Sequence, residues 1–183
     1  MGNNPMTMLY RVNAGSIPGD NWIQNLEIGG GRVLGEVCHF IDYLTYLNGS
    51  LPTKISATAL PDANQLNDTL NILIQFENGS SGVVAYYANG SKSMKKEYIE
   101  VFSAGMSAIL NDFKELKIFG KGKPKKEKFF NQNKGQKEMV SAFVNGLLNE
   151  GKAPISFQEI VAVTKASFKV IESVKRGGVQ VEV

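Results

Sequence analysis

The sequence predicts an α+β fold: an open, mostly antiparallel sheet with helices packed on one face. Two observations lead there. From Lys54 to Phe130 the chain runs through short segments whose apolar residues recur every second position. Around Arg32–Leu47, and again from Met139 onward, apolar residues recur at helical spacing instead. The order is therefore strand, helix, a meander of strands, then two helices.

The opening "TMLYRVNAG" alternates and reads as a strand, and "SIPGDNWIQNLEIGGG" is a loop punctuated by Pro, Gly and Asn. A helix follows from about Arg32 to Leu47 and stops at "NGS". The strand-like segments are "KISATAL", "TLNILIQF", "SGVVAYYA", "EYIEVFSA", "SAILND" and "ELKIFG". "ENGSSG" between the second and third is a hairpin turn signal. Leu70, Ile72, Ile74 and Phe76 fall on one face of their strand, Asn71 and Gln75 on the other. Met139, Val140, Phe143, Val144, Leu147 and Leu148 form the stripe of a second helix. "SFQE" at 156–159 is a capping box that opens a third, closed at Gly177-Gly178, and "VQVEV" reads as a last strand. Three helices cover one face of such a sheet. The other face, with Tyr86 or Tyr87 on it, is left open or pairs with another copy.

Composition narrows the function classes. Apolar residues at 43% and charged residues at 20% describe a globular chain of 183 residues with a real core. No apolar run approaches the ~20 residues of a membrane span, and "MGNNPMTMLY" lacks the basic start and apolar stretch of a signal peptide. Cys38 is the only cysteine, which excludes a disulfide framework and a cysteine-rich metal site; no metal is expected. A reducing, cytoplasmic setting follows as an expectation. The net charge of +3 does not call for a polyanion partner. The basic run "KGKPKKEKFFNQNK" is read as a solvated loop or hairpin, and nucleic acid is not an expected partner.

Chemistry concentrates in "GGGRVLGEVCHFIDYL", residues 29–44, which holds the only histidine. Residues three and four apart are neighbours on a helix, so His39 adjoins Glu36, Asp42 and Tyr43. An imidazole beside carboxylates is held in one tautomer and suits general acid–base work. The same residues also describe an amphipathic helix whose histidine caps a polar stripe. Gly29, Gly30 and Gly31 either let the backbone approach a ligand at a helix start or form a hinge. They are no P-loop, because no Lys-Ser/Thr follows at the required spacing. In "YRVNAG", Arg11 and Asn13 share a face and suit hydroxyls or a carboxylate, or simply line a polar strand. Trp22 can stack on a sugar or pack a loop, and Arg32 is a candidate for a charged substrate group. Cys38 reads as a small buried residue.

This segment resembles the start of the catalytic helix in the Gfo/Idh/MocA family of NAD(P)-dependent oxidoreductases. "YRVNAG", "IPGDNW", "ENGSSGVVAYYA" and "EYIEVFSAGMSAILNDFKELKIFG" resemble the same family's C-terminal domain in the same order. The wording is most similar to the subset sometimes fused to an alcohol-dehydrogenase-like region. The resemblance spans nearly the whole chain, 1–183, as one substrate-binding and oligomerisation domain of the glyceraldehyde-3-phosphate-dehydrogenase C-terminal type. It implies hydride transfer between a nicotinamide, NAD or NADP, and a secondary alcohol or ketone of a sugar or polyol. It implies His39 as the proton acceptor and Asp42 as a helix residue, with Gly29, Gly30 and Gly31 near the cofactor. It also implies a homo-oligomer through the open sheet face.

Two departures qualify the implication. The family's acid four residues before the histidine is Gly35 here, with Glu36 one position later as its candidate replacement. No G-x-G-x-x-G follows a strand, so the family's Rossmann domain is absent from these residues and the cofactor would be bound mainly outside them. The chain is therefore expected to be the second half of a longer enzyme, inactive alone. The alternative is a non-catalytic binding or assembly module of the same fold.

Overall fold

The computed structural model describes residues 4–61 and 66–183. Its strands are β1 (Thr7–Asn13), β2 (Pro52–Ala59), β3 (Leu70–Phe76), β4 (Ser81–Tyr87), β5 (Glu97–Ser103), β6 (Met106–Asn111), β7 (Glu115–Phe119), β8 (Lys125–Lys128) and β9 (Val181–Glu182). They form one open sheet in the order β8-β7-β6-β5-β1-β4-β3-β2-β9. Every pairing is antiparallel except β1 with β4, where Thr7 lies opposite Ser81 and Asn13 opposite Tyr87. The expected α+β sheet is thus present, with one parallel pair at its centre.

Alternation in the strands becomes two faces in the sheet. Leu70, Ile72, Ile74 and Phe76 of β3, Met8, Tyr10 and Val12 of β1, and Val84 and Tyr86 of β4 are all buried on one face. Two helices cover it, α1 (Cys38–Asn48) and α3 (Phe157–Lys175), through Phe40, Ile41 and Leu44 and through Val163, Ala166 and Val170. Of the two tyrosines, Tyr86 belongs to this core, while Tyr87 stands on the open face and donates from its hydroxyl to Asn71 Oδ1 at 2.8 Å. Leu73 and Phe102 on the open strands are each 45% exposed.

The third helix departs from expectation. α2 (Gln136–Asn145) has the periodic stripe, yet none of its residues is buried. Met139, Val140, Phe143 and Val144 are exposed. Periodicity marks the face a helix would bury, not whether a partner is there. α3 does open on the expected cap: the Ser156 hydroxyl accepts from the Glu159 backbone N–H at 3.1 Å. It is tied to the sheet by Ser173, fully buried, whose Oγ accepts from Ala57 N–H at 2.9 Å and donates to the Val179 carbonyl at 2.7 Å.

Of the loop and the hairpin left open for the lysine-rich segment, part of it forms the hairpin. β8 lies at the sheet edge and pairs with β7, Lys126 opposite Lys117 and Lys128 opposite Glu115. Glu115 faces Lys117, Lys126 and Lys128 at 2.8, 3.5 and 3.5 Å. Its carboxyl is held at about 2, first by the Lys117 hydrogen bond and then by the surrounding ammonium charges. Lysines along an edge strand also discourage pairing with a further chain.

Candidate active site at the start of the first helix

The chain enters α1 through one π-helical turn, Val33–Val37, in which the Cys38 N–H reaches back to the Val33 carbonyl. This turn sets Glu36 and His39 in different surroundings. His39 is exposed. Its Nδ1 lies 3.0 Å from the Glu36 carbonyl oxygen, which can only accept. Nδ1 is also 3.4 Å from Cys38 Sγ. The contact with the Glu36 carbonyl is a hydrogen bond in the Nδ1–H tautomer, which leaves the lone pair of Nε2 to take a proton from a ligand. Asp42 lies one turn further on. Burial pushes its carboxyl up, with the His39 charge acting against that.

Glu36 is engaged by the sheet and its neighbours. Oε1 accepts from Lys96 Nζ at 2.6 Å, Oε2 accepts from the Tyr86 hydroxyl, and Arg32 approaches Oε2 at 3.2 Å. Burial alone would raise the Glu36 carboxyl. The hydrogen bonds from Lys96 and Tyr86, and the charges of Lys96 and Arg32, outweigh it and hold the group below its ordinary value. Glu36 is thus a fixed anion near neutral pH, not a proton donor. The same contact pushes the Tyr86 hydroxyl up, after the larger effect of burial.

Arg32, expected to face a charged substrate group, is 5% exposed. Its guanidinium donates to the Gly15 carbonyl at 2.8 Å, pairs with Glu36, lies 3.9 Å from Asp68 and stacks 5.2 Å from the Tyr86 ring centroid. Those contacts assign it to holding the first turn of the helix. Cys38 is inert for a similar reason. Its Sγ donates to the Leu34 carbonyl at 3.1 Å, and burial pushes the thiol up.

Arg11 and Asn13 act on a loop. Arg11 NH1 donates to the carbonyls of Lys95 and Lys96 at 2.8 and 3.3 Å. Asn13 Nδ2 donates to those of Ser91 and Met94 at 2.7 and 3.2 Å, and Asn13 N–H to that of Lys96 at 2.7 Å. Together they fix the segment after β4 and present Lys96 to Glu36. Lys96 is the residue that sequence reasoning missed. The available signal was "SKSMKKEY", a short basic run directly after a strand.

The three glycines are explained by packing within the chain. A Cβ on Gly29 would lie 2.6 Å from the Trp22 carbonyl oxygen and 2.7 Å from Ile23 Cα. Gly30 and Gly31 have φ of 69° and 78°, which favours glycine. They border an apolar cavity of about 220 Å³ against Val170, Ile171 and Val174 of α3, and His39 does not line it. Trp22, 62% exposed, starts the short turn that Gly29 packs against.

A nicotinamide dinucleotide fits these residues only at its reacting end. The exposed His39 would supply a proton acceptor there. Among the glycines, the Gly29 N–H is bonded to the Asn25 carbonyl at 2.7 Å and is not available to a phosphate.

A profile of the GFO/IDH/MocA C-terminal domain matches residues 6–105. Solved structures share the fold over the whole chain. Aldose-aldose oxidoreductase from Caulobacter crescentus, complexed with glycerol, is 15% identical with a TM-score of 0.79, and the chain covers 100% of itself and 56% of that protein. An NAD binding oxidoreductase from Klebsiella pneumoniae is 16% identical, with a TM-score of 0.79 and coverage of 100% and 59%. Levoglucosan dehydrogenase, in complex with NADH and levoglucosan, is 18% identical, with a TM-score of 0.79 and the same coverage of 100% and 59%. A search of curated proteins returned no match. The chain spans little more than half the length of the structures it matches. The fold is that of a Gfo/Idh/MocA C-terminal domain. The chain belongs to the Gfo/Idh/MocA family.

Proposed function

We propose that this chain is the substrate-binding half of an NAD(P)-dependent oxidoreductase acting on a secondary alcohol or ketone of a sugar or polyol. The observation that supports this most is the state of His39: exposed at the entrance of α1, with Nδ1 committed to the Glu36 carbonyl and Nε2 open. In the oxidising direction Nε2 takes the hydroxyl proton while the carbinol carbon loses its hydride. NAD or NADP, when bound, accepts that hydride. It is held mainly by a Rossmann domain outside these residues, so the chain alone is inactive. Glu36 is a positioning residue in this reading: its carbonyl orients the imidazole and its carboxylate locks the turn to Lys96 and Tyr86. The names of similar proteins, among them levoglucosan dehydrogenase, agree with a sugar-type substrate.

Two further parts belong to the proposal. The setting is cytoplasmic; no described helix is long and apolar enough to cross a membrane. The open sheet face, with Leu73, Tyr87 and Phe102 on it, joins two copies of the chain.

The native reading frame upstream of Met1 tests the proposal. A Rossmann domain ending in Glu-Lys-Pro supports it. A frame that begins at Met1 contradicts it and favours a binding module of the same fold.

A further inference from the structure

We propose that the substrate carries an anionic group, a carboxylate or a phosphate, and that the loop after β4 binds it. This deepens the reading of His39 as the reacting end of the site and rests on it. The observation is a cavity of about 400 Å³ at the end of β1, walled by Lys92, Lys95, Lys96 and Lys134 with Asp112 as its one lining carboxylate. Lys96 joins the cavity to the reacting end: it is one of the lining residues, and its ammonium is bonded to Glu36, three residues before His39.

The cavity's polar face is built, not incidental. A loop normally presents carbonyl oxygens, which repel an anion. Here the carbonyls of Ser91, Met94, Lys95 and Lys96 are all taken by Arg11 and Asn13. The remaining polar lining is the four lysines with Ser93, Gln132 and Asp112.

The lysines differ in how free they are. Lys96 and Lys134 are fixed by Glu36 at 2.6 Å and Glu97 at 2.7 Å. Lys95 meets Asp112 only at 4.0 Å and is 65% exposed. Lys92 has no ion-pair partner among the described residues. Lys92 and Lys95 are therefore the pair available to an incoming anion, while the charges of Lys96 and Lys134 are balanced by Glu36 and Glu97. A neutral polyol would leave Lys92 without a counter-ion and Lys95 with only its 4.0 Å approach to Asp112. An anionic substituent neutralises them and anchors one end of the substrate, leaving its hydroxyl end toward His39.

The test is calorimetric titration of the 183-residue chain with glucuronate, glucose 6-phosphate and glucose at low salt, repeated with Lys92→Ala/Lys95→Ala. Both lysines are exposed, so the variant should fold; unchanged thermal melting checks this. The expected result is that one anionic sugar binds at least about tenfold tighter than glucose, and that the double variant erases the difference. Preference for glucuronate marks a carboxylate substrate, and preference for glucose 6-phosphate a phosphorylated one. Equal binding of all three, no binding of either anion, or a preference that survives the double variant overturns the proposal. The upstream reading frame is read independently, so failure of this inference and failure of the dehydrogenase reading are distinguishable.

Discussion

The Glu36 carboxylate meets the Lys96 ammonium at 2.6 Å, joining the first turn of α1 to a loop sixty residues later in the sequence. Because Tyr86 and Arg32 bind the same carboxylate, this contact decides how the histidine turn sits on the sheet. Glu36→Gln should destabilise the chain by about 1–2 kcal/mol near neutral pH, the range for a charge-assisted contact that is partly solvated. The sign of the pH dependence follows from its lowered pKa. The stabilisation is complete above the ordinary value of 4.5 and is lost as pH falls through the lower folded value. The difference in melting temperature between native and Glu36→Gln chains should therefore be constant near neutrality and shrink in acid. A difference that grows in acid would contradict the assignment.

Gly29 and Gly35 should respond oppositely to alanine. At Gly29 the new Cβ meets backbone atoms of Trp22 and Ile23, which cannot rotate away. A loss of about 1–3 kcal/mol is expected. At Gly35 nothing lies within 4 Å, and alanine favours helix, so no loss or a gain of up to about 1 kcal/mol is expected. Chemical denaturation of both variants checks the pair.

Ser173→Ala removes a hydroxyl that serves two buried backbone groups, the Ala57 N–H and the Val179 carbonyl. The expected cost is about 1–3 kcal/mol. For a chain of this size that is a fall of roughly 2–10 °C in melting temperature. An unchanged melting temperature would mean that water replaces the hydroxyl.

If the open sheet face joins two copies, sedimentation at micromolar concentration should show a dimer. Leu73→Lys, placed on that face at a residue 45% exposed, should shift it toward monomer with the fold intact. A native chain that sediments as a monomer would remove this part of the account.

Much of the fold was legible because its pattern is local. The period-two runs of β3 and β4, the turn between them and the Ser156 cap are each written in a few adjacent residues. What was not legible depends on partners distant in sequence. The parallel pairing of β1 with β4 leaves no local mark, and neither does the choice of Tyr86 over Tyr87 for the core. The lysine run left loop and hairpin both open, because its pairing rests on Glu115 in β7. At the site, His39 and Glu36 were legible from spacing. The engagement of Glu36 was not, because Lys96 and Tyr86 reach it only through the folded sheet. Arg11 and Asn13 were chosen for their shared polarity, and the structure gives them to the lysine loop instead of leaving them open.

The most direct test of the central claim is the rate of polyol oxidation by the enzyme that joins this chain to its nucleotide-binding half, with and without His39→Ala. If His39 is the proton acceptor, kcat/KM should fall by about 10²–10⁴, the usual worth of a general base. A variant that keeps the native rate would contradict the account and leave His39 as a surface residue of a binding domain.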